Sequence, residues 1–145
     1  ICYFKFMCYN IFFVNSINSN IKSNFNIQNF DFESGYIQTS VDNTTNITSE
    51  RLSKLKELAE ICALNCLAAV NTVADVNKIV KIVRVVGYVN GAPGYVAQPA
   101  VVNGASELYV HIWGEAGKHA RSAIGVAELP LDSPVEIELT VEIAD

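Results

Sequence analysis

Gly114-Glu115-Ala116-Gly117-Lys118-His119-Ala120-Arg121-Ser122-Ala123-Ile124-Gly125-Val126-Ala127-Glu128-Leu129-Pro130, then after a short link Val135-Glu136-Ile137-Glu138-Leu139-Thr140-Val141-Glu142-Ile143, is the stretch around which the chain reads most clearly. In its second half Val135, Ile137, Leu139, Val141 and Ile143 alternate with Glu136, Glu138, Thr140 and Glu142. A period of two puts the first set on a buried face and the second on the opposite one. The first half is also strand-like, and Pro130 with Asp132-Ser133-Pro134 supplies turn residues between the two. The expectation is an antiparallel hairpin. Keeping its apolar faces together sets Ile124 and Val126 beside Ile137 and Leu139, and places Arg121, Ala123, Gly125 and Ala127 on the carboxylate side. An arginine followed by small residues leaves a groove for a neighbouring subunit or a ligand.

Working back from this stretch, Val76–Val89 is crowded with Val and Ile, which favour a pleated surface. Lys78, Lys81 and Arg84 recur every third residue and hint at helix, but the expectation is a long central strand, apolar on both faces. Thr48 or Ser49 can cap a helix running to about Val70. Leu52, Leu55, Ala59, Cys62, Cys66 and Ala69 would form its inner stripe. Asn90-Gly91-Ala92-Pro93-Gly94 reads as a loop, and Pro99 opens a second helix that Gly114 or Gly117 closes. Val101, Ala105, Leu108 and Ile112 are its expected inner positions, with His111 partly exposed and Tyr109 and Trp113 packing at the sheet or an interface.

At 145 residues and 50% hydrophobic content, one domain with an ordinary core is expected. A net charge of −5 gives no basic footprint for phosphate backbones, so nucleic acid is not an expected partner. Of four cysteines, Cys62 and Cys66 sit four apart on the first helix, a spacing unlike a secreted disulfide framework or a zinc ribbon. They read as small buried hydrophobes, since two thiolates need further ligands that His111 and His119 are not spaced to supply. No apolar run approaches the ~20 residues of a membrane helix. The aromatic, apolar residues 1–14 fit a secretory signal poorly, and asparagine at 10, 15, 18, 20, 24, 26 and 29 favours turns or disorder. Asn43 and Asn46 stand in formal glycosylation acceptors that read as a polar loop.

The run from His119 to Pro130 followed by Val135-Glu136-Ile137-Glu138 resembles the closing signature of the YjgF/YER057c/UK114 family, also called the Rid family of imine deaminases. The resemblance extends to Cys62–Ala68 and to Val102-Asn103-Gly104-Ala105-Ser106. It covers roughly residues 50–145 well and the first 48 poorly. Residues 1–30 are set apart as a poorly matched Asn-rich segment, and 31–145 as the family-like domain. The resemblance implies an α+β, chorismate-mutase-like fold, a mixed sheet with two helices on one face, in a homotrimer with clefts between protomers. It implies that Arg121 grips a substrate carboxylate, and that Glu136, ordinarily one solvated charge among three, orients the water that attacks an imine. Arg121 paired with Glu142 across the hairpin is the alternative role for that arginine.

Asn103 matches the family's site-wall asparagine, and Ala123 stands where many members carry cysteine, keeping the backbone groups that could hold ligand or water. Ser34 and Gly35 match a Ser-Gly that ends the family's second strand beside the ligand; a plain turn after a strand is the alternative. The implied reaction hydrolyses a reactive imino acid of the 2-aminoacrylate or 2-iminopropionate type to a 2-keto acid and ammonia, with no metal or organic cofactor. Residue 127 opposite 136 would set Arg121 six positions from Glu136, about 20 Å at ~3.3 Å per residue, so that one small acid needs two subunits. A non-catalytic, trimeric small-acid binding or regulatory module is the main rival. Endoribonuclease activity and chorismate-mutase chemistry rank below it. The expected location is cytoplasmic or mitochondrial.

Overall fold

The structure, a computed structural model, describes residues 2–9 and 49–145. Ser34, Gly35, the Asn-rich segment and the boundary expected near residue 30 lie outside the described residues.

Two helices cover one face of a four-stranded mixed sheet. The elements are β1 (Cys2–Tyr9), α1 (Ser49–Val70), β2 (Ile79–Asn90), α2 (Gln98–Trp113), β3 (Ala120–Val126) and β4 (Val135–Ile143). Sheet order is β1-β4-β2-β3, with β2 and β3 parallel and the other two pairings antiparallel. The α+β class, both helices and the strand at 79–90 agree with the expectations above.

The hairpin does not form. β3 and β4 are separated by β2, which pairs with both. Residues 127–134 do not reverse the chain in a tight turn. They carry it across the end of β2 through a 3₁₀ turn at Pro130–Asp132, where Leu131 and Asp132 take φ values of 59° and 54°. The end of β2 is tied to both flanks: the Asn90 N–H donates to the Pro134 carbonyl (3.0 Å), and the Gly91 N–H to the Val126 carbonyl (3.4 Å). The turn residues were read correctly as chain-reversing chemistry. What they join are strands with a third between them.

This reverses the face assignment of β3. Register partners share a face, and Arg121, Ala123 and Gly125 align with Val85, Gly87 and Val89 on β2, which align with Leu139, Ile137 and Val135 on β4. Arg121 and the small residues therefore face the helices. Ile124, 42% exposed, stands on the carboxylate face with Tyr88 and Glu136. The groove expected along the small residues is occupied by this chain's own α2: a Cβ on Gly125 would press on the Gln98 side chain, and one on Gly87 would overlap Val102.

β2 also explains its own ambiguous pattern. Two register shifts against β4, between Ile79 and Lys81 and between Ile82 and Arg84, insert an extra residue each, Val80 and Val83. Ile79, Ile82 and Val85 consequently all point inward at a spacing of three, while Lys81 and Arg84 both point outward. The bulged strand imitates a helical period.

The core lies between the inner sheet face and the helices. Ile82, Val85, Ile137, Leu139 and Val141 are fully buried against Cys62, Cys66, Leu67, Val102, Ala105 and Tyr109. The inner stripe of α2 runs through Val102, Ala105 and Tyr109; the expected Leu108 and Ile112 are only half-buried, as is Ala69 on α1. Tyr109 can be swallowed whole because its hydroxyl donates to the Ala63 carbonyl (3.2 Å). Where the helices cross, Gly104 lies so close to α1 that a Cβ there would overlap the Lys56 carbonyl. The Cys62 and Cys66 thiols are buried and donate to the Val135 and Ile137 carbonyls at 3.6 and 3.3 Å, so both face the sheet. No described helix is long and apolar enough to cross a membrane.

Candidate functional site

Arg121 sits on β3, an edge strand, with its side chain turned toward α2 and exposed to solvent. Its Nη1 donates to Asn103 Oδ1 at 2.6 Å and to Ser106 Oγ at 3.3 Å. Asn103 and Ser106 are three apart on α2, so one helix face presents both oxygens to the guanidinium. The Nε and Nη2 groups have no protein partner among the described residues, which leaves one edge of the planar fork open. Ala123, half-buried on the same face, keeps the neighbouring stretch of strand low.

The contacts continue past Ser106. Its hydroxyl lies 3.0 Å from His119 Nε2, and His119 Nδ1 lies 2.6 Å from the Gly117 carbonyl. The imidazole stands edge-on to Tyr109, ring centroids 6.1 Å apart. Burial holds the His119 pKa below the ordinary imidazole value; the hydrogen bond to Gly117 opposes this and the positive charge of Arg121 adds to it. Neither Ser106 nor His119 had been given a role from sequence. The signals were there, Ser106 at i+3 from Asn103 and His119 two residues before Arg121, just ahead of β3, but they become legible only once β3 is known to face α2.

Glu136 occupies the other face. Arg121 aligns through Val85 with Leu139, three residues from Glu136 and two strands away. At ~4.8 Å between strands and ~3.3 Å per residue their Cα atoms are roughly 14 Å apart, with the sheet between the side chains. The ~20 Å inferred from a hairpin does not hold, and opposite faces are the barrier that replaces it. Glu142 stands on the Glu136 face as well, so it is not the partner of Arg121.

Only 3% of Glu136 is exposed, and its Oε1 is buried with no hydrogen-bond partner among the described residues. The adjacent Glu138 is answered by Lys5 of β1 at 3.1 Å. Burial pushes the Glu136 carboxyl above the usual carboxylate range and the charge of Glu138 pushes it further. A carboxyl raised in this way holds its proton to higher pH than an ordinary carboxylate, the direction that suits an acid–base group.

Away from Arg121, a concavity between α1 and α2 is lined by Lys56, Glu57, Glu60, Glu107 and His111 among others. His111 is exposed there, as expected. Lys56 is already paired with Glu107 at 3.1 Å, and burial with the charges of Glu57 and Glu107 raises the Glu60 pKa. Such a wall repels anions. The exposed guanidinium of Arg121, not this concavity, suits an acid.

In sequence and fold the chain is similar to known proteins. The family model described as Endoribonuclease L-PSP matches residues 21–143. Protein Atu1372 of Agrobacterium tumefaciens, of unknown function, is 38% identical and superposes with a TM-score of 0.64 over 78% of this chain and 71% of its own. A protein from Shewanella oneidensis MR-1 carrying a provisional endoribonuclease name is 26% identical, with a TM-score of 0.60 over 74% of this chain and 73% of its own. Protein TCP17 of Trypanosoma cruzi is 46% identical over 57 residues, 39% of this chain, and that match spans only 36% of TCP17. With nearly the whole chain matched by one family model and its fold shared with these structures, the chain belongs to the Endoribonuclease L-PSP family, the YjgF/YER057c/UK114 group that residues 119–138 resemble.

Proposed function

We propose that the protein is an enamine/imine deaminase. It converts a small 2-imino acid and water into the 2-keto acid and ammonia, working as a homotrimer whose clefts lie between protomers. The observation that carries this reading is the state of Arg121: exposed, fixed through one nitrogen by Asn103 and Ser106, with the remaining donors of its fork unpartnered beside Ala123. A guanidinium held in that way is preorganised for a bidentate carboxylate.

The carboxylate docked on Arg121 fixes the C=N carbon in place. Water then adds to that carbon, a proton reaches nitrogen, the carbinolamine collapses, and ammonia leaves. Glu136, with its raised pKa, is suited to take the proton from water and return it to the leaving nitrogen. Because Glu136 projects from the opposite face of the same sheet, the glutamate that meets a given Arg121 belongs to another copy. Ala123 contributes its backbone groups to ligand binding, a role that Ser34 and Gly35 share on the strength of the resemblance alone. The functional domain spans residues 31–145, no cofactor takes part, and the compartment is the cytoplasm or the mitochondrion.

Full-length protein added to a coupled reaction that releases 2-aminoacrylate should accelerate appearance of ammonia and keto acid. An unchanged rate together with tight pyruvate binding would favour the rival, a small-acid binding or regulatory module. The absence of a thiol at Ala123 is the feature that speaks for that rival. RNA cleavage, which the names of the relatives suggest, is disfavoured by the net charge of −5, and repeated purification together with Arg121→Ala would expose a contaminating nuclease.

A further inference from the structure

We infer that Ser106 and His119 are positioning residues, a proton-ordered relay that aims Arg121 at the ligand carboxylate. The inference rests on the functional reading above and adds to it the groups that set the arginine's direction.

Each proton in the relay is assigned by its neighbour. The Gly117 carbonyl can only accept, so the 2.6 Å contact requires a proton on His119 Nδ1. Arg121 can only donate, so Ser106 Oγ accepts from Nη1 and its own proton must go elsewhere. Among the described residues the acceptor that the hydroxyl meets is His119 Nε2 at 3.0 Å, which is bare in the neutral Nδ1–H form. The order Arg121 to Ser106 to His119 to Gly117 is thus a single consistent direction, and it turns a lone pair of Ser106 toward the guanidinium.

Protonation of the ring breaks this order. Nε2–H would then compete with Arg121 for the same oxygen, the Ser106 proton would lose its acceptor, and two cations would face each other across one hydroxyl. Burial and Arg121 keep the ring neutral to lower pH than an ordinary imidazole. Of the titratable groups around it, Arg121 on β3 and the Tyr109 phenol on α2 face the ring. Glu115 and Lys118 in the preceding turn are exposed and paired with each other at 2.6 Å, and Arg84 on β2 projects from the outer sheet face.

The test is calorimetric affinity of the full-length protein for pyruvate across a series from about pH 8 down to about pH 4, reaching well below the ordinary histidine value because the ring's own value is lowered. Wild-type affinity should weaken about tenfold at the acid end. Ser106→Ala should be about tenfold weaker throughout and indifferent to pH, with Ser106→Thr restoring both features. His119→Gln places an amide oxygen near the Nε2 position and should keep the alkaline affinity while losing the acid limb. His119→Asn reaches only the Nδ1 position and should bind as weakly as Ser106→Ala.

Ser106→Ala and His119→Asn binding like wild type, with the same pH dependence, overturn the relay. Should Ser106→Ala fail to fold, the ¹⁵N spectrum of the wild-type imidazole decides: a neutral Nδ1–H ring at pH 7 supports the relay, and an Nε2–H or charged ring overturns it. A wild-type protein that ignores pyruvate sinks the deaminase reading instead, and that same spectrum then decides the relay by itself.

Discussion

The two faces of the sheet hold their key charged groups in opposite ways. On the helix side Arg121 is exposed, yet bonded into a chain that runs through Asn103, Ser106, His119 and Gly117. On the outer side Glu136 is buried, yet one of its oxygens has no partner among the described residues, and Lys5 pairs with the neighbouring Glu138 instead. An exposed group with fixed partners is ready to bind without reorganising. A buried group without them is unfavourable when charged and holds its proton to higher pH than an ordinary carboxylate. Under the proposed function, binding belongs to the first face and proton transfer to the second.

The largest effect expected from breaking the comparison is at Glu136. Glu136→Gln should lower kcat for imine hydrolysis by about 10²–10⁴, the usual worth of a positioned acid–base group. It should also raise the melting temperature at neutral pH. Glu136 has a folded-state pKa above its unfolded one, so its ionised form opposes folding: the penalty is full above the raised value and disappears as pH falls below about 4.3. The stability gain of Glu136→Gln should vanish over the same window, and thermal melts from about pH 4 to pH 8 check it. A loss of stability at pH 7 would mean that the carboxylate is satisfied after all.

Arg121→Ala comes next, with kcat/KM and pyruvate affinity each reduced about 100-fold, the worth of two charge-assisted bonds. Arg121→Lys should recover little, because an ammonium cannot bond to Asn103 and Ser106 and still present a fork. Recovery to near wild-type affinity would show that charge alone, without the planar geometry, holds the acid. At Gly104, away from both faces, the expected cost falls on stability: Gly104→Ala forces α1 and α2 apart and should destabilise by about 1–3 kcal/mol in urea melts.

How far the sequence carried the reading depended on how local each signal was. Both helices declared themselves through neighbours three and four apart, through Pro99 in the first turn and Gly114 at the end. β2 was legible as a strand only because its Val and Ile content outweighed a three-residue spacing, which the bulges at Val80 and Val83 explain. The hairpin failed because strand order is not a local property. Nothing in residues 114–145 announces that β2 lies between β3 and β4, and the face of Arg121 went wrong with it. Arg121 and Asn103 were found by resemblance and meet at 2.6 Å, whereas Ser106 and His119 needed the tertiary pairing of β3 with α2.

Asn103 offers the finest cut through the comparison, because it can be changed without touching the guanidinium. Asn103→Ala removes one acceptor but leaves Ser106, so affinity for a small 2-keto acid should fall only two- to tenfold, the range of a single hydrogen bond. Asn103→Asp should do more harm to binding while doing less to the fold. It would set an anion where the 2.6 Å acceptor now stands, pairing with Arg121 from inside the protein and offsetting the charge that the ligand needs. The melting temperature should hold or rise while pyruvate affinity drops below that of Asn103→Ala. If Asn103→Asp instead bound the acid as well as wild type, the guanidinium would be gripping its ligand through geometry alone, and the division between a binding face and a proton-transfer face would have to be redrawn without Coulomb attraction in it.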